Sequence, residues 1–260
     1  MAIRSSWGGR KSPPSTVPVK AASEEGPTDV KSRADLFLEY LAGEELTEYD
    51  LTHRLRLTET LKRMDAIIQP GQKIVELGGI SRLATFLARN DQADVAEYTK
   101  DLRFPLELPS NTYDVVLMLE VLEHLNDRHR PESEISEIAM FTGSGASSCM
   151  REVHRILKPG GHLVLTTPNA SSIDTIGRVL LKEHPFLYPP HVREYTVSDV
   201  VNLVKACDLH LVFSSTFFAW NSLPSIDRAS LISLITSLKF DASDRGDDAF
   251  FIFSKKLADA

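Results

Sequence analysis

Cysteine is nearly absent. The 260-residue chain holds only Cys149 and Cys207, which offer no metal-type spacing and no disulfide framework. This usage fits a reducing compartment better than a secreted scaffold, so a cytoplasmic protein is expected. No run of 18 or more apolar residues occurs, and none of the expected helices should span a bilayer. No apolar secretory stretch follows Met1 either. Basic clusters are also lacking. Lys and Arg number 29 against 36 Asp and Glu, a formal net charge of −7, so long nucleic acid is not an expected partner. Acidic residues are missing from Met1 to Ser23, where Ser, Pro, Gly, Arg and Lys dominate. Residues 1–30 are therefore expected to be a disordered tail, with a transit peptide as the alternative. The remainder, 31–257, has the length of one α/β domain.

What is present is an alternation of helical and strand patterns. Two leading helices are expected, near Arg33–Ala42 and Glu48–Ile68. The first carries Leu36, Phe37, Tyr40 and Leu41, and the second Leu51, Leu55, Leu57, Leu61, Met64 and Ile67. They either cap a cleft or cover a sheet edge. Strands follow at Lys73–Val75, Asp94–Thr99, Tyr113–Leu119, His162–Thr167, Leu209–Thr216 and Ala249–Lys255. Helices are expected at Ser81–Arg89, Ala146–Leu157, Val197–Ala206 and Ala229–Leu238, and Lys158-Pro159-Gly160-Gly161 reads as a turn. The near-continuous apolar run from Tyr113 suits a strand buried on both faces. The pattern predicts an α/β fold: a doubly wound, mostly parallel, Rossmann-like sheet. Such sheets bind ligands beyond the carboxyl ends of their strands, at the switch point.

The loop after the first strand reads Glu76-Leu77-Gly78-Gly79-Ile80-Ser81. Its glycines allow a sharp turn and close approach to a ligand, and Glu76 can receive a cationic amine or a ribose hydroxyl. Downstream come Pro105–Asp114, Glu120-Val121-Leu122-Glu123-His124-Leu125, Glu152–Gly161 and Leu163–Asn169. In this order and spacing the set resembles the class I S-adenosylmethionine-dependent methyltransferases of the type 11 and type 23 sort, over Ile74–Phe213. The resemblance implies S-adenosylmethionine as cofactor, bound across the first two strands, with a methyl acceptor next to the fourth strand's end.

Residue by residue, the resemblance assigns Glu76, Gly78 and Gly79 to the donor loop, while Ile80 and Arg82 stand where later glycines are usual. Glu97 and Asp101, 18 and 22 positions past Gly79, are the candidate acids for the ribose and adenine, with Asp101 favoured and Leu102 against the adenine ring. Only 34 residues separate Gly79 from Asp114, which implies a shortened second βα unit. Glu120 is expected over the cofactor. A small-molecule hydroxyl is the expected acceptor, because His124, with His191 second, could serve as general base. Two alternatives remain open. One is a binding module of weak or no activity, suggested by Ile80 and Arg82. The other is a metal-dependent O-methyltransferase, since Glu120, Glu123, His124 and His191 resemble the segment found in ubiquinone-pathway and small-RNA enzymes. The segment His184–His191 reads as an acceptor-pocket wall or as a loop packed on the core. Thr142–Gly145 reads as a lid tip.

Overall fold

Each leading helix starts on a reciprocal cap. The Ser32 hydroxyl accepts from the Asp35 amide, and the Asp35 carboxylate accepts from the Ser32 amide, opening α1 (Arg33–Ala42). Thr47 and Asp50 repeat this for α2 (Glu48–Met64). Each such pair satisfies two donors that a helix start leaves free. The structure, a computed structural model, describes residues 31–127, 144–221, 223 and 225–257. The expected tail at 1–30 lies outside the described residues.

After α2 the chain runs β1 (Lys73–Leu77), α3 (Arg82–Asn90), β2 (Asp94–Tyr98), β3 (Tyr113–Leu119), α4 (Ser144–Ile156), β4 (Leu157–Pro168), α5 (Ile173–Leu180), α6 (Val197–Lys205), β5 (Leu209–Phe217), α7 (Arg228–Ser237) and β6 (Asp248–Lys255). The six strands form one sheet in the order β2-β1-β3-β4-β6-β5. The first four are parallel, and β6 is antiparallel to both β4 and β5. The expected mostly parallel, doubly wound Rossmann-like sheet is present. No helix or strand lies between Tyr98 and Tyr113, so the second βα unit is shortened as the spacing required. Leu102 and Leu106 from this connection are buried with Val75 and Met118.

Period-two alternation divides each strand between two cores. Val75, Leu77, Val116, Met118, Leu163 and Leu165 face α4 and α6. Ile74, Val115, Leu117, Val164 and Phe250 face α1, α2 and α3. The leading helices therefore cover a whole sheet face rather than an edge. On α2 the buried stripe runs through Arg56, Leu57, Thr60, Leu61 and Met64, whereas Leu51 and Leu55 are exposed. The segment expected to be a simple turn, Lys158–Gly161, is instead an outward bulge in β4. Tyr113 pairs with Leu157 and Val115 with His162, and Lys158 Nζ donates to the Asp114 carboxylate at 2.7 and 2.8 Å. No helix among the described residues is long and apolar enough to cross a membrane.

At the carboxyl side of β4, a buried ion group holds the connection between β5 and α7. Asp247 accepts from the Ala219 amide at 2.6 Å, the Trp220 amide at 3.3 Å and Arg228 Nη2 at 2.7 Å. Arg228 Nε also donates to Asp174 on α5 at 2.9 Å. Removing the cation leaves two buried carboxylates unpaired. Arg228→Met is expected to lower stability by about 3 kcal/mol, read as a lower urea midpoint at unchanged denaturant slope.

Candidate active site

β1 ends between β2 and β3, where the chain reverses its direction across the sheet. Gly78 and Gly79 sit there at φ 100° and 139°, a region that side-chain-bearing residues rarely enter. A Cβ on Gly78 would lie 2.7 Å from Val121 Cγ2. The Gly78 amide donates to the Tyr98 carbonyl at 2.9 Å, the Ser81 amide to Glu76 Oε2 at 2.7 Å and the Ile80 amide to Glu97 Oε1 at 3.1 Å. Glu76 and Glu97 are register partners on adjacent strands, so their carboxylates flank the loop on one face. The loop borders a cavity of about 280 Å³ shared with Tyr49, Arg56, Glu76 and Glu120. The Ile80 side chain is 49% exposed. The Arg82 guanidinium turns away toward Glu44 and Asp50 and does not crowd the loop.

Arg56 had drawn no attention in the sequence. It is 1% exposed, and its Nη1 has no hydrogen-bond partner. That atom lies 4.0 Å from Glu120 Oε1. Arg56 Nε donates to His53 Nδ1 at 3.4 Å, and the guanidinium lies 5.9 Å from the Trp220 ring centre. Burial pushes the Glu76 carboxyl up to about 7 against the opposing pull of the Ser81 hydrogen bonds and Arg56. Burial likewise drives His53 down to about 4, helped by Arg56. The signal available was a polar residue on the buried stripe of α2.

Glu120 follows β3 with φ 58°. Its amide donates to the Thr166 carbonyl at 3.1 Å, and its Oε1 accepts from Thr166 Oγ1 at 2.7 Å. It lines the loop cavity and also a second cavity of about 610 Å³; Tyr49 is the other shared wall. Leu122–His124 form a single 3-10 turn. Glu123 is 1% exposed, with Oε2 accepting from Thr167 Oγ1 at 2.9 Å and Oε1 unpartnered. Its carboxyl is raised well above the usual range by burial and then by Glu120. The Glu123 carbonyl accepts from the Val192 amide at 2.9 Å, which docks the segment carrying His191. The His124 and His191 rings meet edge-on with centres 4.8 Å apart. Burial and His191 both lower the His124 pKa. His191 Nδ1 lies 2.7 Å from Glu194 Oε1. Donor atoms of Glu123, His124 and His191 all fall within 4.8 Å of one another.

Thus the structure gathers Glu76, Gly78 and Gly79 around one cavity and Glu120, His124 and His191 around its neighbour; Glu97 does not line the first cavity but holds the Ile80 amide of its loop. Asp101 instead forms a two-pronged ion pair with Arg103, Leu102 is in the core, and neither borders the loop cavity. The segment 184–191 lines the second cavity through Leu187, Tyr188 and His191 and is largely exposed, so it is a cavity wall and not a core loop. Ser144 and Gly145 open α4, and a Cβ on Gly145 would clash with the Asn126 carbonyl, so they are not a lid tip. Thr142 and Gly143 lie outside the described residues. Tyr49, His53, Arg178 and Trp220 line the larger cavity, Arg56 lines the loop cavity, and Glu194 contacts His191; the sequence pattern marks none of them.

A methyltransferase-domain family profile matches residues 29–213. Among curated proteins, none matches the sequence. The fold is similar to that of the Haloferax volcanii complex of the Trm112 methyltransferase activator with a methyltransferase: TM-score 0.54, 11% identity, covering 86% of this chain and 97% of that one. It is similar to a SAM-dependent methyltransferase from Archaeoglobus fulgidus: TM-score 0.51, 13% identity, covering 85% and 99%. It is also similar to a SAM-dependent methyltransferase from Thermotoga maritima described as a possible histamine N-methyltransferase: TM-score 0.50, 18% identity, covering 86% and 97%. The matched profile spans most of the chain and contains both the glycine loop and the Glu120–His124 segment, and the chain belongs to the class I S-adenosylmethionine-dependent methyltransferases.

Proposed function

We propose that this methyltransferase methylates a hydroxyl oxygen of a small molecule. One observation carries the reading: the glycine-loop cavity abuts a larger cavity through Glu120 and Tyr49, and that larger cavity presents His124 beside His191. In this reading the loop cavity takes the donor. The residues fit it. Gly79 leaves open space, with only Glu97 Oε1, at 4.0 Å, near the position of a Cβ, buried Glu76 suits a cationic amine, and the unpartnered Arg56 Nη1 suits a carboxylate. Glu97 keeps Oε2 for a ribose hydroxyl and takes the role first assigned to Asp101. When bound, S-adenosylmethionine supplies a methyl group already activated by a sulfonium.

The chain's own task is then alignment and proton removal. The short contact between His191 Nδ1 and Glu194 fixes the tautomer that leaves Nε2 bare. A base held by a third group is the arrangement general-base chemistry needs. His191 Nε2 therefore accepts the hydroxyl proton, and His124, kept neutral by burial, packs against its ring. This reverses the order expected from the sequence. The binding-module alternative loses its ground because Arg82 leaves the loop clear.

A second reading has one specific support. Glu123, His124 and His191 could together hold a divalent cation that orients the acceptor, and two imidazoles with one carboxylate suit Zn²⁺ or Mn²⁺ better than Mg²⁺.

Three measurements test these readings. His191→Gln is expected to lower kcat by about 10²–10⁴-fold with S-adenosylhomocysteine affinity unchanged, and His124→Gln to lower it less. An equal loss of ligand affinity would overturn the base role. Chelation with EDTA is expected to leave turnover intact; loss on chelation with recovery in Zn²⁺ or Mn²⁺ selects the metal reading. The Glu76 carboxyl holds its proton up to about pH 7, and a cationic ligand must displace it. S-adenosylhomocysteine affinity should therefore rise by up to about tenfold per pH unit from 5.5 to 7 and then level off. Calorimetry across that range should give a flat profile for Glu76→Gln.

A further inference from the structure

We propose that the methyl acceptor carries an oxyanion, a carboxylate or a phosphate, and that Arg178 on α5 binds it. The inference rests on the reading of the larger cavity as the acceptor site. Arg178 lines that cavity. Its Nε is buried and has no hydrogen-bond partner. Arg33, Arg63, Arg155 and Arg228 are matched, by Asp91, by Glu59, by Glu152 and by Asp174 with Asp247, whereas Arg56, also with an unpartnered nitrogen, faces the loop cavity.

Neither carboxylate bordering the same cavity forms an ion pair with Arg178. Glu120 is held by Thr166 and faces Arg56, and Glu123 is held by Thr167 and approaches His124. Neither therefore serves as a counter-ion for Arg178. A buried N–H without an acceptor is unfavourable, and a ligand oxygen removes the deficit. The planar fork of arginine matches an oxyanion in two-pronged fashion, which a lysine at this place would not.

The rest of the lining defines the body of the ligand. Tyr49, Trp220, Tyr188, Leu187 and Pro168 offer flat apolar walls. The Tyr49 and His53 rings are tilted by 45° with centres 3.9 Å apart, and His53 meets Trp220 edge-on at 5.0 Å. A cavity of about 610 Å³ is within the range of small-molecule sites. The acceptor class is thus a flat or aromatic hydroxylated molecule, with its oxyanion at Arg178 and its hydroxyl at the histidine pair.

The test is titration calorimetry on the full chain saturated with S-adenosylhomocysteine, in the presence of EDTA. The probes are 4-hydroxyphenylacetate, its methyl ester and 4-hydroxyphenyl phosphate. At least one anion should bind at least tenfold more tightly than the ester, and the tighter anion names the oxyanion. Arg178→Met should weaken the anion at least tenfold and leave the ester unchanged, with Arg178→Lys in between. S-adenosylhomocysteine affinity should match wild type in both variants, which verifies their folding. Equal binding of ester and anions, an anion affinity indifferent to Arg178, or binding of neither anion to donor-loaded wild type overturns the proposal. Failure of wild type to bind S-adenosylhomocysteine overturns the donor site itself, and the proposal with it.

Discussion

The buried guanidinium of Arg56 meets more negative charge than one cation can balance. Glu76, Glu120, Glu123 and Asp248 are each pulled downward in pKa by Arg56, yet burial wins at all four and their carboxyls are raised. Asp248 is fully buried and neither of its carboxyl oxygens has a hydrogen-bond partner. Taking several charges out of water at once is costly unless they are paired, and neutralisation by proton uptake is the usual escape. The site is therefore a set of buried acids, each with its carboxyl pKa raised, around one fixed positive charge. In the proposed reading, a ligand with a sulfonium and an ammonium would supply the missing cations, and its carboxylate would take the free Nη1 of Arg56. Shape selects the donor through the glycines; charge selects it through this imbalance.

That arrangement depends on strand alternation. Glu76 shares a sheet face with Ile74, Thr166 with Val164, and Asp248 with Phe250, and this face is the one covered by α1, α2 and α3. A one-residue slip in β1 would send Glu76 to the α4 side, away from Arg56. The leading helices are consequently part of the site: Tyr49, His53 and Arg56 occupy one side of α2 at positions separated by three or four residues, the spacing that brings helix side chains together. The sheet's other face, packed with Met150, Val153 and Val204, contributes almost nothing to the chemistry beyond rigidity.

Local patterns made the elements legible. Arg33–Ala42 and Tyr113–Leu119 have the bounds that capping residues and a continuous apolar run imply, and the shortened second βα unit followed from residue spacing set against the family pattern. The glycine loop, Glu120, His124 and His191 were legible for the same reason, since each sits in a short contiguous motif. Arg56, Arg178, Glu194 and Trp220 were not. Their roles arise when α2, α5, the segment 184–195 and the β5–α7 connection converge, and no local pattern marks that convergence. Leu51 and Leu55 show the converse failure: they fit the helical period, yet the stripe that packs is rotated toward Arg56 and Leu57. Periodicity finds a helix more surely than it finds which face is buried.

The glycine loop illustrates how a departure from the family pattern can be absorbed. Glycines at positions 80 and 82 would leave the backbone free to adapt to a ligand. Here Ile80 and Ser81 have their amides fixed by Glu97 and Glu76, and Arg82 ties the start of α3 to Glu44 and Asp50 near the start of α2. The loop is shaped by carboxylates in place of backbone freedom. This has a consequence for the donor. Glu97 Oε1 is occupied, so in the proposed reading a ribose hydroxyl would meet Oε2, and the side chain that fixes the loop would also read the ligand. Asp101, engaged by Arg103 at the far side of the shortened connection, is not needed for that contact, and the missing βα unit removes the scaffold that would bring a second acid to the adenine.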